Sequence, residues 1–73
     1  MLIRSQTQKK LINLSNVDTI RIADFGDIVY FNGTEDSIGR LGEYGTEGRA
    51  IEALSMIQDA YQNEEKVFCM PAE

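Results

Sequence analysis

Only one stretch of this sequence repeats with the period of a helix. Ala50, Leu54, Ile57 and Tyr61 recur at i, i+4, i+7 and i+11, with Ala53 and Ala60 beside them, while Arg49, Glu52, Asp59 and Gln62 fall on the opposite side. An apolar stripe of this spacing is stable only when another layer covers it. Thr46 offers a hydroxyl as N-cap, and Glu47 suits the positive end of the helix dipole. The pattern predicts one amphipathic helix over about 46–63. Everything ahead of it is broken every few residues by turn formers, which leaves room for short strands and nothing longer.

Those strands can be read one by one. Leu2 to Ser5 begins the chain, and Gln6-Thr7-Gln8 makes a polar turn. In Lys9 to Leu14, Ile12 and Leu14 share a face, and Ser15-Asn16 turns the chain again. Val17 to Ala23 alternates, with Ile20 and Ile22 on one side and Thr19 and Arg21 on the other, as a half-buried strand does. Asp24-Phe25-Gly26-Asp27 is a tight turn in which Gly26 is free to take positive φ. Ile28-Val29-Tyr30-Phe31 is apolar on both faces and suits a central strand. Asn32-Gly33 is a hairpin signal, lengthened by Thr34-Glu35-Asp36. Ser37 to Tyr44 has Ile38 and Leu41 on opposite parities among glycines, which predicts a bulge. Lys66 to Met70 reads as a last strand or a docked tail, stopped by Pro71.

The expected fold class is therefore α+β. An antiparallel sheet of four to five short strands within residues 2–44, curved or half-barrel, is packed by one C-terminal helix, and residues 1–73 form one domain. Leu54, Ile57 and Tyr61 are expected to meet Ile12, Leu14, Ile20 and Ile22.

Size makes this fold marginal. A chain of 73 residues buries only about 60% of the surface its unfolded form exposes. Cys69 is the single cysteine and there is no histidine, so neither a disulfide nor a Cys–His zinc site can assist. One unpaired thiol suits a reducing cytoplasm, and Cys69 is expected to be small, apolar and partly buried. Met1 to Gln6 is broken by charge after two apolar residues, which predicts no secretory signal and no membrane span. The expected location is cytoplasmic.

Charge is uneven along the chain. Residues 1–22 carry Arg4, Lys9, Lys10 and Arg21 against Asp18, a net +3; residues 23–73 carry Arg40, Arg49 and Lys66 against eleven acids, a net −8. A total of −5 gives little attraction for a phosphate backbone, so no nucleic-acid partner is expected.

The segments Leu2-Ile3-Arg4-Ser5-Gln6 and Leu41-Gly42-Glu43-Tyr44-Gly45-Thr46-Glu47, followed by Ala50 and the helix, resemble a family of small uncharacterised proteins of Gram-positive bacteria and their phages. Gly48 and Arg49 replace the acidic or lysine residues expected there. The resemblance implies the same order of strands and helix, and no activity.

Motifs that would carry chemistry are weak. The glycines of Gly39-Arg40-Leu41-Gly42-Glu43-Tyr44-Gly45 precede a helix, as in an anion cradle, yet Glu43 and Glu47 repel phosphate and no P-loop lysine follows. Asp24-Phe25-Gly26 matches the kinase metal-binding tripeptide without the rest of that constellation. Asp24, Asp27, Glu35 and Asp36 lack EF-hand spacing and read as solvated turn acids. Cys69 without histidine cannot form a Cys–His nucleophile. No enzyme, cofactor or metal is expected.

What remains is surplus apolar surface, unless the first strand or Val67-Phe68 covers it or the sheet curls into a half-barrel that closes over itself. A single helix covers one sheet face, and Val29 and Phe31 lie opposite in parity to Ile28 and Tyr30. Val29, Phe31 and Phe68 are the candidate interaction surface. The leading expectation is a non-enzymatic protein-interaction module, with a homodimer as one form. Charge mimicry of nucleic acid by a phage or mobile-element protein, and a small-ligand or anion site at Gly39–Thr46, are the alternatives.

Overall fold

The computed structural model describes residues 1–32 and 39–72. In chain order the elements are β1 (Leu2–Arg4), β2 (Leu11–Asn13), a 3₁₀ turn (Leu14–Asn16), β3 (Thr19–Ala23), β4 (Asp27–Phe31), β5 (Gly39–Glu43), α1 (Glu47–Gln62) and β6 (Val67–Cys69). The class is α+β with a late helix. The Gly33 to Asp36 loop and the start expected for the fifth strand lie outside the described residues.

The single antiparallel sheet is corrected to two sheets of three strands, ordered β2-β1-β6 and β3-β4-β5. The first is mixed: β1 pairs antiparallel with β2 but parallel with β6. Short turns allow only antiparallel neighbours, but a parallel pair needs a long crossover. Here everything between residues 4 and 67 serves as that crossover. The second sheet is antiparallel, joined by the turn at Asp24–Gly26.

The expected bulge is present. Ile28 faces Gly42 and Val29 faces Arg40, so Leu41 is the extra residue on β5. The bulge turns Leu41 into the core, where it is 1% exposed beside Ile3 and Ile28 at 0%. Alternation along β4 sends Ile28 and Tyr30 inward to the core and leaves Val29 and Phe31 on the outer face.

The helix meets this core with alanines. Ala50, Ala53, Ile57 and Ala60 are its buried residues, small enough to let the axis approach the strands closely. Leu54 is half-buried, whereas Tyr61, expected in the interface, is 64% exposed. Ala60 in the same turn is 7% exposed, so the core reaches this height. Tyr61 lies on the flank of the buried Ala50-Ala53-Ile57-Ala60 stripe, at the rim of a hollow lined by Met1, Leu14 and Ser15. Ile12, Leu14, Ile20 and Ile22 pack around the core rather than forming its centre. Among the described residues, no helix is long and apolar enough to cross a membrane.

Both helix ends follow local rules. The Thr46 hydroxyl accepts from the Arg49 N–H at 3.2 Å. At the other end Asn63 caps, Glu65 N–H donates to Ala60 C=O, and Glu64 N–H donates to Tyr61 C=O, the paired bonds of a Schellman stop. Glu64 holds the left-handed position at φ 57°, where glycine is usual. Replacing Glu64→Gly is expected to raise stability by about 0.5–1 kcal/mol in a denaturant melt, by relieving that conformation and removing a carboxylate from the negative end of the dipole.

Tyr44, 3% exposed, donates its hydroxyl to Pro71 C=O at 2.8 Å and ties the C-terminal segment to the core. Burial pushes this phenol above its ordinary value of 10.0, and the Arg49 guanidinium pulls it back in part. The fold thus prefers the neutral form. That contribution is complete below pH 10 and is lost as pH rises through 10 toward the raised folded value. Tyr44→Phe should cost about 1 kcal/mol at pH 7 and flatten the fall in melting temperature above pH 10.

Candidate functional site

The outer face of the β3-β4-β5 sheet is built around β4. Val29 and Phe31 are half-buried there, with Arg21 opposite Val29 on β3 and Arg40 opposite it on β5. The Arg21 guanidinium sits 5.0 Å from the centroid of the Phe31 ring, a cation–π distance. Arg40 lies 3.6 Å from both Asp27 and Glu43. At that length, with Arg40 and Glu43 exposed, the pairs contribute little to stability. Their side chains screen Val29 from the flanks without roofing it. An open hollow of about 440 Å³ remains over Val29, between Arg21 and Arg40.

A second hollow, of about 600 Å³, adjoins it at the β3–β4 turn and is walled by Gln6, Asp24, Phe25, Asp27, Glu43 and Gly45. Phe25 stands at its rim, 86% exposed. Sequence reading placed Phe25 only in a turn and missed it as surface. A large apolar residue at a turn tip, where nothing can cover it, was the available signal. Gly26 behind it has φ +98°, and a Cβ there would fall 2.5 Å from the Thr46 backbone oxygen. The turn therefore presses against the N-cap, and Phe25 has no inward path.

The second hollow contains the join between the two sheets. Gln6 N–H donates to Leu41 C=O at 2.8 Å. The Gln6 amide then bonds the Glu43 backbone twice, accepting from its N–H at 2.8 Å and donating to its C=O at 3.2 Å. The side chain thus imitates a strand residue and covers the β5 edge. The Leu2–Gln6 and Leu41–Glu47 segments, distant in sequence, meet here.

Of the three candidate surface residues, Val29 and Phe31 share the outer face. Phe68 does not join them: it lies in β6 of the other sheet and packs against the core. Cys69 beside it is exposed, not partly buried, because alternation in β6 turns Phe68 inward and its neighbours out. The Gly39–Thr46 segment forms β5 and the helix N-cap, and the hollow beside Gly45 is lined by carboxylates that disfavour an anion. Asp24 and Asp27 are near one another, while Glu35 and Asp36 lie outside the described residues. Among the described residues no three His, Cys, Asp or Glu side chains are grouped to hold a metal ion.

No protein-family model, curated protein or solved structure matches this chain.

Phe25→Ser is expected to leave the melting temperature within about 2 °C of wild type in a thermal melt, since a residue this exposed loses no packing. Gln6→Ala should lower stability by about 1 kcal/mol, the net worth of its two side-chain bonds at an exposed site.

Proposed function

We propose that this chain is a non-enzymatic, cytoplasmic protein-interaction module that self-associates through the outer face of the β3-β4-β5 sheet. The observation that carries the reading is that Val29 and Phe31 have no covering layer among the described residues, while the charges around them are reciprocal. Arg21 and Arg40 occupy the middle of the face, and Asp24, Asp27 and Glu43 gather at the turn end. A two-fold axis would set the arginines of each copy against the carboxylates of the other, an isologous contact.

Area sets the strength. Three strands about 4.8 Å apart and five residues long make a face of about 14 by 17 Å. That is well under the ~800 Å² per partner of a stable standard interface, so the association is weak and needs high concentration. The exposed Cys69 thiol suits a reducing cytoplasm. Charge mimicry draws less support, because Arg40 sits among the acids of this face. The contact between the Leu2–Gln6 and Leu41–Glu47 segments supplies a structural reason for their joint appearance in the family that the chain resembles, and kinship with that family is part of the proposal.

Light scattering across a dilution series is the test. The expected result is a mass that falls toward 8.2 kDa as concentration drops from about 1 mM to 10 μM, with Val29→Asp monomeric throughout and still folded by circular dichroism. A wild type that stays at 8.2 kDa at 1 mM, or a Val29→Asp variant that associates as before, overturns it.

A further inference from the structure

A different surface is formed where the last strand meets the end of the helix. The parallel pairing of β1 with β6 uses Leu2 N–H to Lys66 C=O and Met70 N–H to Arg4 C=O, both at 2.9 Å. Residues 66, 68 and 70 therefore turn their backbone polar groups toward β1. Alternation turns those of Val67 and Cys69 the other way, onto an edge that no strand occupies among the described residues. Val67 is 47% exposed and Cys69 is exposed. A groove of about 300 Å³ runs beside this edge against α1, with Met56, Ala60 and Phe68 supplying apolar surface and Asp59 and Glu65 adding acids.

The edges of the second sheet lack this combination. Gln6 covers β5. The centre of β3 carries Arg21, a charge that opposes pairing. At the β6 corner the charge is one-sided. Asp59, Glu64 and Glu65 gather at the negative end of the helix dipole, and no basic residue lies in the last helical turn, so these acids stand where they cost stability. Lys66 is next to them in sequence, and Arg4 stands beside Cys69 on β1.

We propose that the β6 edge and its groove bind an extended basic segment of another protein as an added strand. The backbone of that segment pairs with Val67 and Cys69. Its alternate apolar side chains enter the groove against Met56 and Ala60, and the intervening lysines or arginines, on the opposite side of the added strand, reach Glu65. Main-chain bonds supply affinity and the groove supplies selectivity, as in other cases of strand addition.

The experiment titrates ¹⁵N-labelled full chain with a pool of seven-residue peptides that alternate Lys or Arg with Val, Ile, Leu or Phe. The expected result is a set of amide shifts centred on Val67, Cys69, Met56 and Ala60, unchanged in the Val29→Asp variant. N-methylation of the peptide bonds that face β6 should weaken binding at least tenfold by fluorescence anisotropy. Glu65→Lys should weaken it about tenfold, and peptides with Glu in place of Lys should not bind. A pool that shifts nothing, shifts centred on Val29 and Phe31, N-methylated peptides that bind equally well, or a homodimer that occupies the β6 edge would each overturn the proposal.

Discussion

The three hydrogen bonds between Gln6 and β5 are the constraint on which the rest of this structure depends. A three-residue β1 flanked by two three-residue strands cannot form a stable sheet alone, and neither can β3, β4 and β5 with one face open to water. Gln6 joins them at the bulge, its backbone bonding Leu41 and its side chain Glu43. The join brings Ile3 against Ile28 and Leu41, giving both sheets one core. Each bond is worth only about 0.5–1.5 kcal/mol net. Their effect is geometric, because they hold the end of β1 against β5 at the bulge.

That alanine face explains how so short a chain encloses a core at all. Large side chains on both the helix and the sheets would hold the layers apart and admit water at the ends of three-residue strands. Alanine at 50, 53 and 60 lets the layers close, and Tyr44 then fills the end of the core beneath residues 70–72. Packing at this distance tolerates little extra volume. Gly26, crowded by the Thr46 backbone, marks the same closeness at the turn.

The helix, its N-cap, the turn at Gly26 and the bulge at Leu41 were all legible in the residues, because each depends on a short-range rule of spacing or conformation. The division into two sheets was not. It rests on the pairing of β1 with β6 and on a glutamine side chain acting as a strand residue, and neither leaves a local trace. That Val29 and Phe31 share a face opposite Ile28 and Tyr30 followed from parity alone. Phe68 was misassigned to their company because parity says which way a side chain alternates, not which sheet its strand joins. Tyr61 failed for a different reason: the buried stripe is centred on Ala50, Ala53, Ile57 and Ala60, and a bulky residue on its flank stays at the rim.

The pairing of β1 with β6 also dictates an order of events during synthesis. β1 is the central strand of its sheet, yet one of its two partners leaves the ribosome only after the second sheet and the helix have done so. The second sheet and the helix can organise first, from hairpins and local contacts. The first sheet must wait as a two-stranded ribbon, with Ile3 lacking part of its enclosure, until residues 67–69 emerge and slot in beside it. Completion of this sheet thus waits on the segment that follows the helix, and a product truncated within the helix would leave that ribbon open for any strand that passes.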